Sequence, residues 1–239
     1  MKVRLDNELV RKGIVATRSQ AESYIKLGLV LVNRQVITKP GYFVNSIDDL
    51  ILNVTDQYVS RAALKLKSVA DKLGLDFKDK VILDVGSSTG GFTDYALKHK
   101  ALKVIAVDVG SKQLHQNLLD NPNIELHEQT DIRNFIPRTN PNIVLIDVSF
   151  ISLKEILPHI SNISNKNTQI VAMFKPQFEA GEKFKHKGVI KNDKMRREII
   201  KNFEEWVKNY FMIVAKLDSA ISGSKGNQER FYLLKILSY

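Results

Sequence analysis

The segment from Val81 to Leu97, VILDVGSSTGGFTDYAL, most constrains how this chain can fold. Its apolar run stops at an acidic residue and a glycine-rich stretch, and an amphipathic stretch follows. This order is typical of a β-strand, a tight turn and the start of a helix. Glycine lets the backbone approach a ligand closely, and the free N–H groups of a helix N-terminus attract polar groups. The segment therefore predicts a nucleoside-binding turn, although a tight turn without a ligand is the simpler alternative.

The spacing of the glycines narrows the choice of cofactor. The turn reads Gly86-Ser87-Ser88-Thr89-Gly90-Gly91, which lacks the second glycine of the G-x-G-x-x-G pattern of nicotinamide enzymes. Asp84 precedes the first glycine, and Asp108 ends the next predicted strand. These two acids suit S-adenosylmethionine, with Asp84 near the methionine amino group and Asp108 at the ribose hydroxyls.

Composition excludes several other classes of protein. The chain has 239 residues, 44% of them hydrophobic, a formal net charge of +10 and no cysteine. A basic excess of this size favours a polyanionic partner, and the lack of cysteine excludes disulfides and cysteine-bound metal clusters. The five histidines show no metal-binding spacing, so we expect no metal site. We also expect a cytoplasmic protein, because neither a secretory signal nor a run of about 18 apolar residues occurs.

Two domains are expected, over residues 1–54 and 60–239, joined by a linker at 55–59. In the first, glycines close two short helices, at Asp6–Lys12 and after Thr17, and short strands follow at 29–33, 35–38 and 50–54. Between Met1 and Pro40, the chain has eight Lys and Arg residues and only three acidic residues. So many cations on a short helical pair favour RNA binding over a merely solvated surface.

From Tyr58 onward, predicted strands and helices alternate, which is typical of a mostly parallel sheet covered on both faces. The fold class is therefore α/β and Rossmann-like, with a seven-stranded sheet whose last strand is antiparallel. The strands are expected at Val81–Val85, Lys103–Val107, Ile124–Glu128, Ile143–Asp147, Gln169–Phe174, Phe211–Leu217 and Arg230–Leu237.

Four polar residues lie at or near the ends of these elements, where open α/β sheets place their sites. Lys65 is on the helix before the first of these strands, Asp147 ends the fourth, Lys175 follows the fifth and Glu229 precedes the last. Each has a simpler interpretation as a solvated charge, a helix cap or a surface ion pair. Only their joint position favours a reactive site.

Several motifs resemble known families. Arg4-Leu5-Asp6, Thr17-Arg18-Ser19-Gln20-Ala21, Ile25-Lys26-Leu27-Gly28 and Val30-x-Val32-Asn33 resemble the S-four type of RNA-binding domain. Residues 4–231 as a whole resemble the bacterial hemolysin A (TlyA) family, in which that domain is fused to an FtsJ-like ribose methyltransferase. The matching motifs are Tyr58-Val59-Ser60-Arg61-x-x-x-Lys65-Leu66, Asp84-x-Gly86-x-Ser88-Thr89-Gly90-Gly91-Phe92, Val107-Asp108-Val109-Gly110, Asp147-Val148-Ser149-Phe150, Lys175-Pro176-Gln177-Phe178-Glu179 and Gly226-Asn227-x-Glu229.

The resemblance implies 2′-O-methylation of ribosomal RNA, typically at cytidine, in the small subunit, the large subunit or both. The Lys-Asp-Lys-Glu tetrad of FtsJ-like enzymes corresponds to Lys65, Asp147, Lys175 and Glu229. The expected cofactor contacts are Asp84, Gly86, Ser88, Thr89, Gly90, Gly91, Phe92, Asp108, Val109 and Asp131. The expected RNA contacts are Arg4, Arg18, Ser19, Lys26 and Arg61, with Lys183, Lys185 and Lys187 in a second basic segment that could equally contact nothing.

The residue types suit this chemistry. A ribose hydroxyl is a poor nucleophile until its proton is removed, and a lysine close to another cation can act as the base. Pyrimidine C5 methyltransferases use a cysteine nucleophile, which is absent here. Two other functions stay open: a non-catalytic RNA-binding or ribosome assembly factor with a methyltransferase fold, and a membrane-active hemolysin, which the lack of an apolar span disfavours.

Overall fold

A computed structural model describes residues 2–54, 57–181, 189–190, 192–223 and 226–237. The chain begins with two short helices, α1 (Leu5–Arg11) and α2 (Arg18–Lys26), as the sequence predicts. The hydroxyl of Thr17 caps α2 by accepting a hydrogen bond from the N–H of Gln20. The Gln20 side chain reaches back over the same helix end and accepts a hydrogen bond from the N–H of Ala16.

The small strands of this region form two sheets. Strand β2 (Val30–Val32) pairs antiparallel with β3 (Gln35–Val36) and β5 (Leu50–Leu52). The β2–β3 turn places Asn33 and Arg34 at positive φ, as a two-residue hairpin turn requires. Strands β1 (Val3–Arg4) and β4 (Phe43–Val44) form a separate pair that the sequence does not predict.

The core of the N-terminal region extends beyond its own segment. Leu5, Leu9 and Tyr24 pack in one buried cluster that also contains Leu64 and Ile221 from the second half of the chain. The segment predicted as a linker bonds to both halves: Gln57 donates to the carbonyl of Ile14, and its own carbonyl accepts from Lys98. The N-terminal region is therefore packed directly against the larger one.

The second half is built on a seven-stranded sheet, as predicted. Its strands are β6 (Val81–Val85), β7 (Lys103–Val107), β8 (Ile124–His127), β9 (Ile143–Ile146), β10 (Gln169–Phe174), β11 (Phe211–Asp218) and β12 (Arg230–Ile236). Their order across the sheet is β11-β12-β10-β9-β6-β7-β8. Only β12 runs antiparallel to its neighbours, β10 and β11. The predicted fold class and the antiparallel last strand are confirmed.

Helices cover both faces of this sheet. They are α3 (Arg61–Ala70), α4 (Gly91–Lys98), α5 (Gln116–Leu119), α6 (Leu153–Asn162), α7 (Pro176–Glu179) and α8 (Asp193–Val207), with a short 3-10 helix at Ile132–Asn134. Two buried apolar clusters lie on the opposite faces of the sheet. They form because a parallel strand that is buried on both sides carries apolar residues on both faces. No helix in the described part of the chain is long and apolar enough to cross a membrane.

Candidate active site

Sheet topology brings three of the four predicted reactive residues to one edge. Asp147 and Lys175 follow β9 and β10, which are parallel neighbours, so their carboxyl ends lie side by side. Strand β12 runs the opposite way beside β10, with Arg230 opposite Phe174. Glu229, which precedes Arg230, therefore lies beside Lys175. The fourth residue, Lys65, comes from the buried face of α3.

The four residues form two short ion pairs. Lys65 Nζ lies 2.6 Å from Glu229 Oε2, and Lys175 Nζ lies 2.6 Å from Asp147 Oδ1. Lys65 and Lys175 are each 8% exposed and Glu229 is 3% exposed. Buried charges at such positions need partners, because an uncompensated charge in the interior costs several kcal/mol, about 3–5 when one partner is removed. Each predicted reactive lysine is therefore held by its own carboxylate.

Ser149, which is not among the predicted site residues, joins this group. Lys175 Nζ donates a hydrogen bond of 3.0 Å to Ser149 Oγ. Ser149 lines three cavities, two on the cofactor side and one on the other side of the Lys175–Asp147 pair. Ser149 and Lys175 therefore lie where the cavity predicted to hold the cofactor meets a second cavity.

That second cavity has a volume of about 460 Å³ and contains three members of the tetrad. Its lining is Ser60, Arg61, Ala62, Lys65, Ser149, Phe150, Lys175, Gln177, Phe178, Gly223, Asn227 and Glu229. Phe150 is 91% exposed and has positive φ, and its ring centroid lies 5.2 Å from that of Phe178. Gln177 presents a buried carbonyl oxygen with no hydrogen-bond partner among the described residues. Two aromatic rings and an amide beside cationic groups suit a nucleotide.

A sequence signal for Phe150 and Phe178 exists, because each lies four residues past the end of an apolar strand, near the predicted reactive residues. Periodicity alone did not separate them from the buried phenylalanines nearby.

The cofactor-side cavity, of about 450 Å³, lies along the carboxyl ends of β6, β7 and β9. Of the predicted cofactor contacts, this cavity contains Gly86, Ser88, Asp108, Val109 and Asp131. A smaller adjoining cavity contains Asp84, Thr89, Gly91 and Phe92, together with Gly86 and Ser88 again. Nine of the ten predicted contacts thus line one continuous region, which reaches Asp147 and Ser149.

Gly90, the tenth, is placed differently. It has φ of 85° at the start of α4, and a Cβ there would lie 2.5 Å from a Leu118 methyl. The positive φ favours glycine at this position, and Gly90 lines neither cavity. At Gly86, in contrast, φ is 80° and a Cβ would lie 2.7 Å from the carbonyl oxygen of Asp147. That glycine lets the turn approach the strand that carries the tetrad aspartate.

The three acids of the cofactor region differ in their partners. Asp108 accepts hydrogen bonds from the N–H groups of Ser88 and Gly110, at 2.8 and 2.7 Å, and so fixes the glycine-rich turn. Asp131 forms an ion pair with Arg133 at 2.6 Å, and hydrogen bonds from the Arg133 side chain lower the pKa of Asp131. Arg133, which was not predicted, also lines the cavity.

Asp84 is the most unusual of the three. It is fully buried, Oδ2 accepts a 2.6 Å hydrogen bond from Thr93 Oγ1, and Oδ1 has no hydrogen-bond partner among the described residues. Burial raises the pKa of Asp84 to about 7, against the hydrogen bond from Thr93, which lowers it. An orphaned buried carboxylate oxygen costs free energy and indicates a missing polar partner.

The predicted RNA contacts lie in different settings. Arg4 and Arg18 both bond to the buried carboxylate of Asp6, at 2.6 and 3.0 Å, and keep part of their guanidinium groups exposed. Burial raises the pKa of Asp6, but the hydrogen bonds from these arginines outweigh it and leave the pKa below its ordinary value. Ser19 and Lys26 are exposed on α2. Arg61 begins α3 and lines the 460 Å³ cavity. Lys183, Lys185 and Lys187 lie outside the described residues.

Comparisons with known proteins agree with this arrangement. Residues 58–236 match the FtsJ-like methyltransferase family, and residues 3–51 match the S4 domain. The 23S rRNA (cytidine-2′-O)-methyltransferase TlyA of Campylobacter jejuni is 44% identical over 189 residues, which cover 77% of this chain and 74% of that protein. The 16S/23S rRNA (cytidine-2′-O)-methyltransferase TlyA of Mycobacterium tuberculosis is 33% identical, over 98% of this chain and 90% of that protein.

Among solved structures, a proposed hemolysin from Streptococcus thermophilus superimposes with a TM-score of 0.73 and 34% identity, over 99% of this chain and 89% of that one. The Mycobacterium tuberculosis and Streptococcus thermophilus proteins thus match nearly the whole length of the chain. The chain belongs to the FtsJ-like methyltransferase family, in the group whose members carry an S4 domain ahead of the methyltransferase domain.

Proposed function

We propose that this protein transfers a methyl group from S-adenosylmethionine to the ribose 2′-hydroxyl of a cytidine in ribosomal RNA, in the small subunit, the large subunit or both. The observation that carries the proposal is the position of the two ion pairs. The Lys175–Asp147 pair lies where the cofactor-side cavities meet a cavity of about 460 Å³ that is lined by cationic, amide and aromatic side chains, and the Lys65–Glu229 pair lines that cavity. An rRNA substrate also agrees with the predicted cytoplasmic location.

The cofactor-side residues fit S-adenosylmethionine. The orphaned Oδ1 of Asp84 would accept from its amino group, and Asp108 and Asp131 would face its ribose and adenine. Gly86 lets the turn pack closely against the strand that ends at Asp147, since any side chain there would meet the Asp147 backbone. When bound, the cofactor supplies a methyl group made electrophilic by the adjacent sulfonium.

The tetrad would prepare and align the attacking oxygen. Lys175, in its neutral form, would take the proton of the 2′-hydroxyl, because it borders both sides of the boundary. Asp147 and Ser149 would hold its amine at 2.6 and 3.0 Å. The Lys65–Glu229 pair would fix the ribose on the far wall of the cavity. Alignment of this kind contributes a large share of the rate in reactions between two bound groups.

The rings of Phe150 and Phe178 would stack on the target base or its neighbour, because base–aromatic stacking is worth about 1–3 kcal/mol per base. The N-terminal domain would hold the rRNA through exposed cations such as Lys26. A non-catalytic assembly factor would not need a buried ion pair at a cofactor boundary. A hemolysin acting alone would lyse red cells as purified protein.

The test is methyl transfer to purified ribosomal subunits from cells that lack the protein, with mapping of 2′-O-methylated positions. Wild type should methylate cytidine ribose, and Lys175→Ala should not. Lys166→Ala is the matched control, because Lys166 is exposed at the opposite edge of the sheet. Methylation of a base, or none at all, would contradict the proposal; binding without transfer would favour the assembly factor.

A further inference from the structure

Two loops build the boundary between the cavities. The first, residues 147–152, connects β9 to α6, and the second runs from Lys175 through α7. They meet at the ion pair of Lys175 with Asp147 and at the rings of Phe150 and Phe178. The paired strands β9 and β10 fix where each loop begins, and contacts between the loops hold the residues further along.

Glu179, the last residue of α7, makes that connection behind the cavity. Its Oε1 accepts a 2.7 Å hydrogen bond from the N–H of Leu153, and its Oε2 accepts a 2.5 Å hydrogen bond from the Ser152 hydroxyl. These bonds join residues 26 and 27 positions apart in the chain. Burial raises the pKa of Glu179, and these two hydrogen bonds oppose that effect.

The N-terminus of α6 explains why a carboxylate fits there. The first N–H groups of a helix have no intrahelical partner, and negative charge is favourable beside them. Ser152 caps the helix by accepting from the N–H of Lys154 at 3.1 Å, which leaves the N–H of Leu153 for another acceptor. Glu179 supplies it from the other loop.

The spacing couples this contact to the reactive amine. Lys175 and Glu179 are separated by a single helical turn, about 6 Å of rise, so one end of α7 cannot move without the other. We propose that Glu179 is a positioning residue: its bonds to Ser152 and Leu153 hold the Lys175 loop against the Asp147 loop and so keep the amine in line with the acceptor oxygen. The proposal rests on the proposed ribose methylation.

The test compares Glu179→Ala and Glu179→Gln with Glu155→Gln as the control. Glu155 lies in the first turn of α6, the helix whose N-terminus Glu179 contacts, but its side chain is 56% exposed. Single-turnover methylation of subunits at saturating S-adenosylmethionine should fall about tenfold or more in Glu179→Ala, because misplacement by about 1 Å can cost about a hundredfold. Glu179→Gln, which still accepts from Leu153, should lose less. Cofactor affinity should stay within about threefold of wild type, since Glu179 lines no cofactor cavity.

A second measurement does not depend on activity. The amide hydrogen of Leu153 should exchange faster in Glu179→Ala than in wild type or in Glu155→Gln. Ser152→Ala, which keeps the Leu153 bond, should lower the rate moderately, and the two substitutions together should be less than additive. Should Glu179→Ala fail to fold, Ser152→Ala and Glu179→Gln carry the test.

A wild-type rate in Glu179→Ala, or a loss of rate matched by an equal loss of cofactor affinity, would overturn the positioning role. Wild-type protein that does not methylate ribose would instead overturn the proposed function.

Discussion

Replacing Asp84 with asparagine should make the protein more stable at slightly alkaline pH while weakening its binding of S-adenosylmethionine. The carboxyl is fully buried, and burial raises its pKa from an ordinary value of 3.8 to about 7. A pKa difference of about three between the folded and unfolded states corresponds to a free energy of about 4 kcal/mol. The folded protein therefore bears a cost of that order whenever Asp84 is ionised.

The sign of the pH dependence follows from proton linkage. Between about pH 4 and pH 7, the folded state keeps a proton on Asp84 that the unfolded chain has released. The free energy of unfolding therefore falls as the pH rises through this window, by at most about 1.4 kcal/mol per pH unit, and this contribution is constant above it. Asparagine carries no charge and can still accept from Thr93, so the variant should escape the loss.

Thermal or urea unfolding at pH 5 and pH 8, without cofactor, measures this effect. Asp84→Asn should exceed wild type by about 2–4 kcal/mol at pH 8, and the difference should shrink towards pH 5. Asp94→Asn is the matched control. Asp94 is also buried, but it accepts from the Val59 N–H and pairs with Lys98, so its replacement should destabilise the protein by about 1–3 kcal/mol.

Calorimetry of cofactor binding supplies the second half of the test. If ionised Asp84 pairs with the cofactor's ammonium group, affinity should fall about tenfold per pH unit below about pH 7 and should be weak at every pH in Asp84→Asn. A variant that is less stable than wild type at pH 8, or that binds the cofactor normally, would refute the reasoning.

Three further predictions concern the reaction and the N-terminal domain. Lys175→Arg should fail to methylate subunits, because guanidinium does not release its proton near neutral pH; substantial turnover would leave Lys175 as a purely electrostatic group. Removing residues 1–54 should abolish efficient methylation and also lower the melting temperature, because Leu64 and Ile221 lose their packing partners; replacing both with polar residues should restore solubility, as measured by size-exclusion chromatography. Lys26→Glu should weaken RNA binding and reduce its salt dependence without changing the melting temperature, since Lys26 is exposed; unchanged filter binding across a salt series would exclude it from the RNA surface.

The large sheet could be predicted closely from the sequence, because each of its strands is a short apolar run bounded by turn residues. Three of the seven, β6, β7 and β10, have the expected limits, and the others differ by about one residue at an end. The two-residue strands β1 and β4 could not be predicted, because two residues show no periodicity. Their pairing depends on the folded domain around them.

For the candidate site, the sequence predicted which residues lie at the ends of strands, but not which side chains they contact. Strand ends brought Asp147, Lys175 and Glu229 together, since position at the end of a strand can be read from local pattern. Partners across the structure could not be read in this way. Two such partners depend on tertiary contacts. Arg18 forms an ion pair with buried Asp6, and Glu179 accepts a hydrogen bond at the N-terminus of a helix 26 residues away in the chain.

Helix α3 carries neighbouring residues that serve different halves of the molecule. Leu64 belongs to the buried core of the N-terminal domain, whereas Lys65, one position on, faces the 460 Å³ cavity. Consecutive residues of a helix point about 100° apart, so this one rigid element fixes both the distance and the angle between the two halves. Under the proposed function, RNA bound to the N-terminal domain can place in the cavity only those nucleotides that lie at one fixed distance from the RNA-binding surface of that domain. A cytidine would then be selected by its distance from the site where the first domain binds the ribosomal subunit, and not by its chemical identity alone.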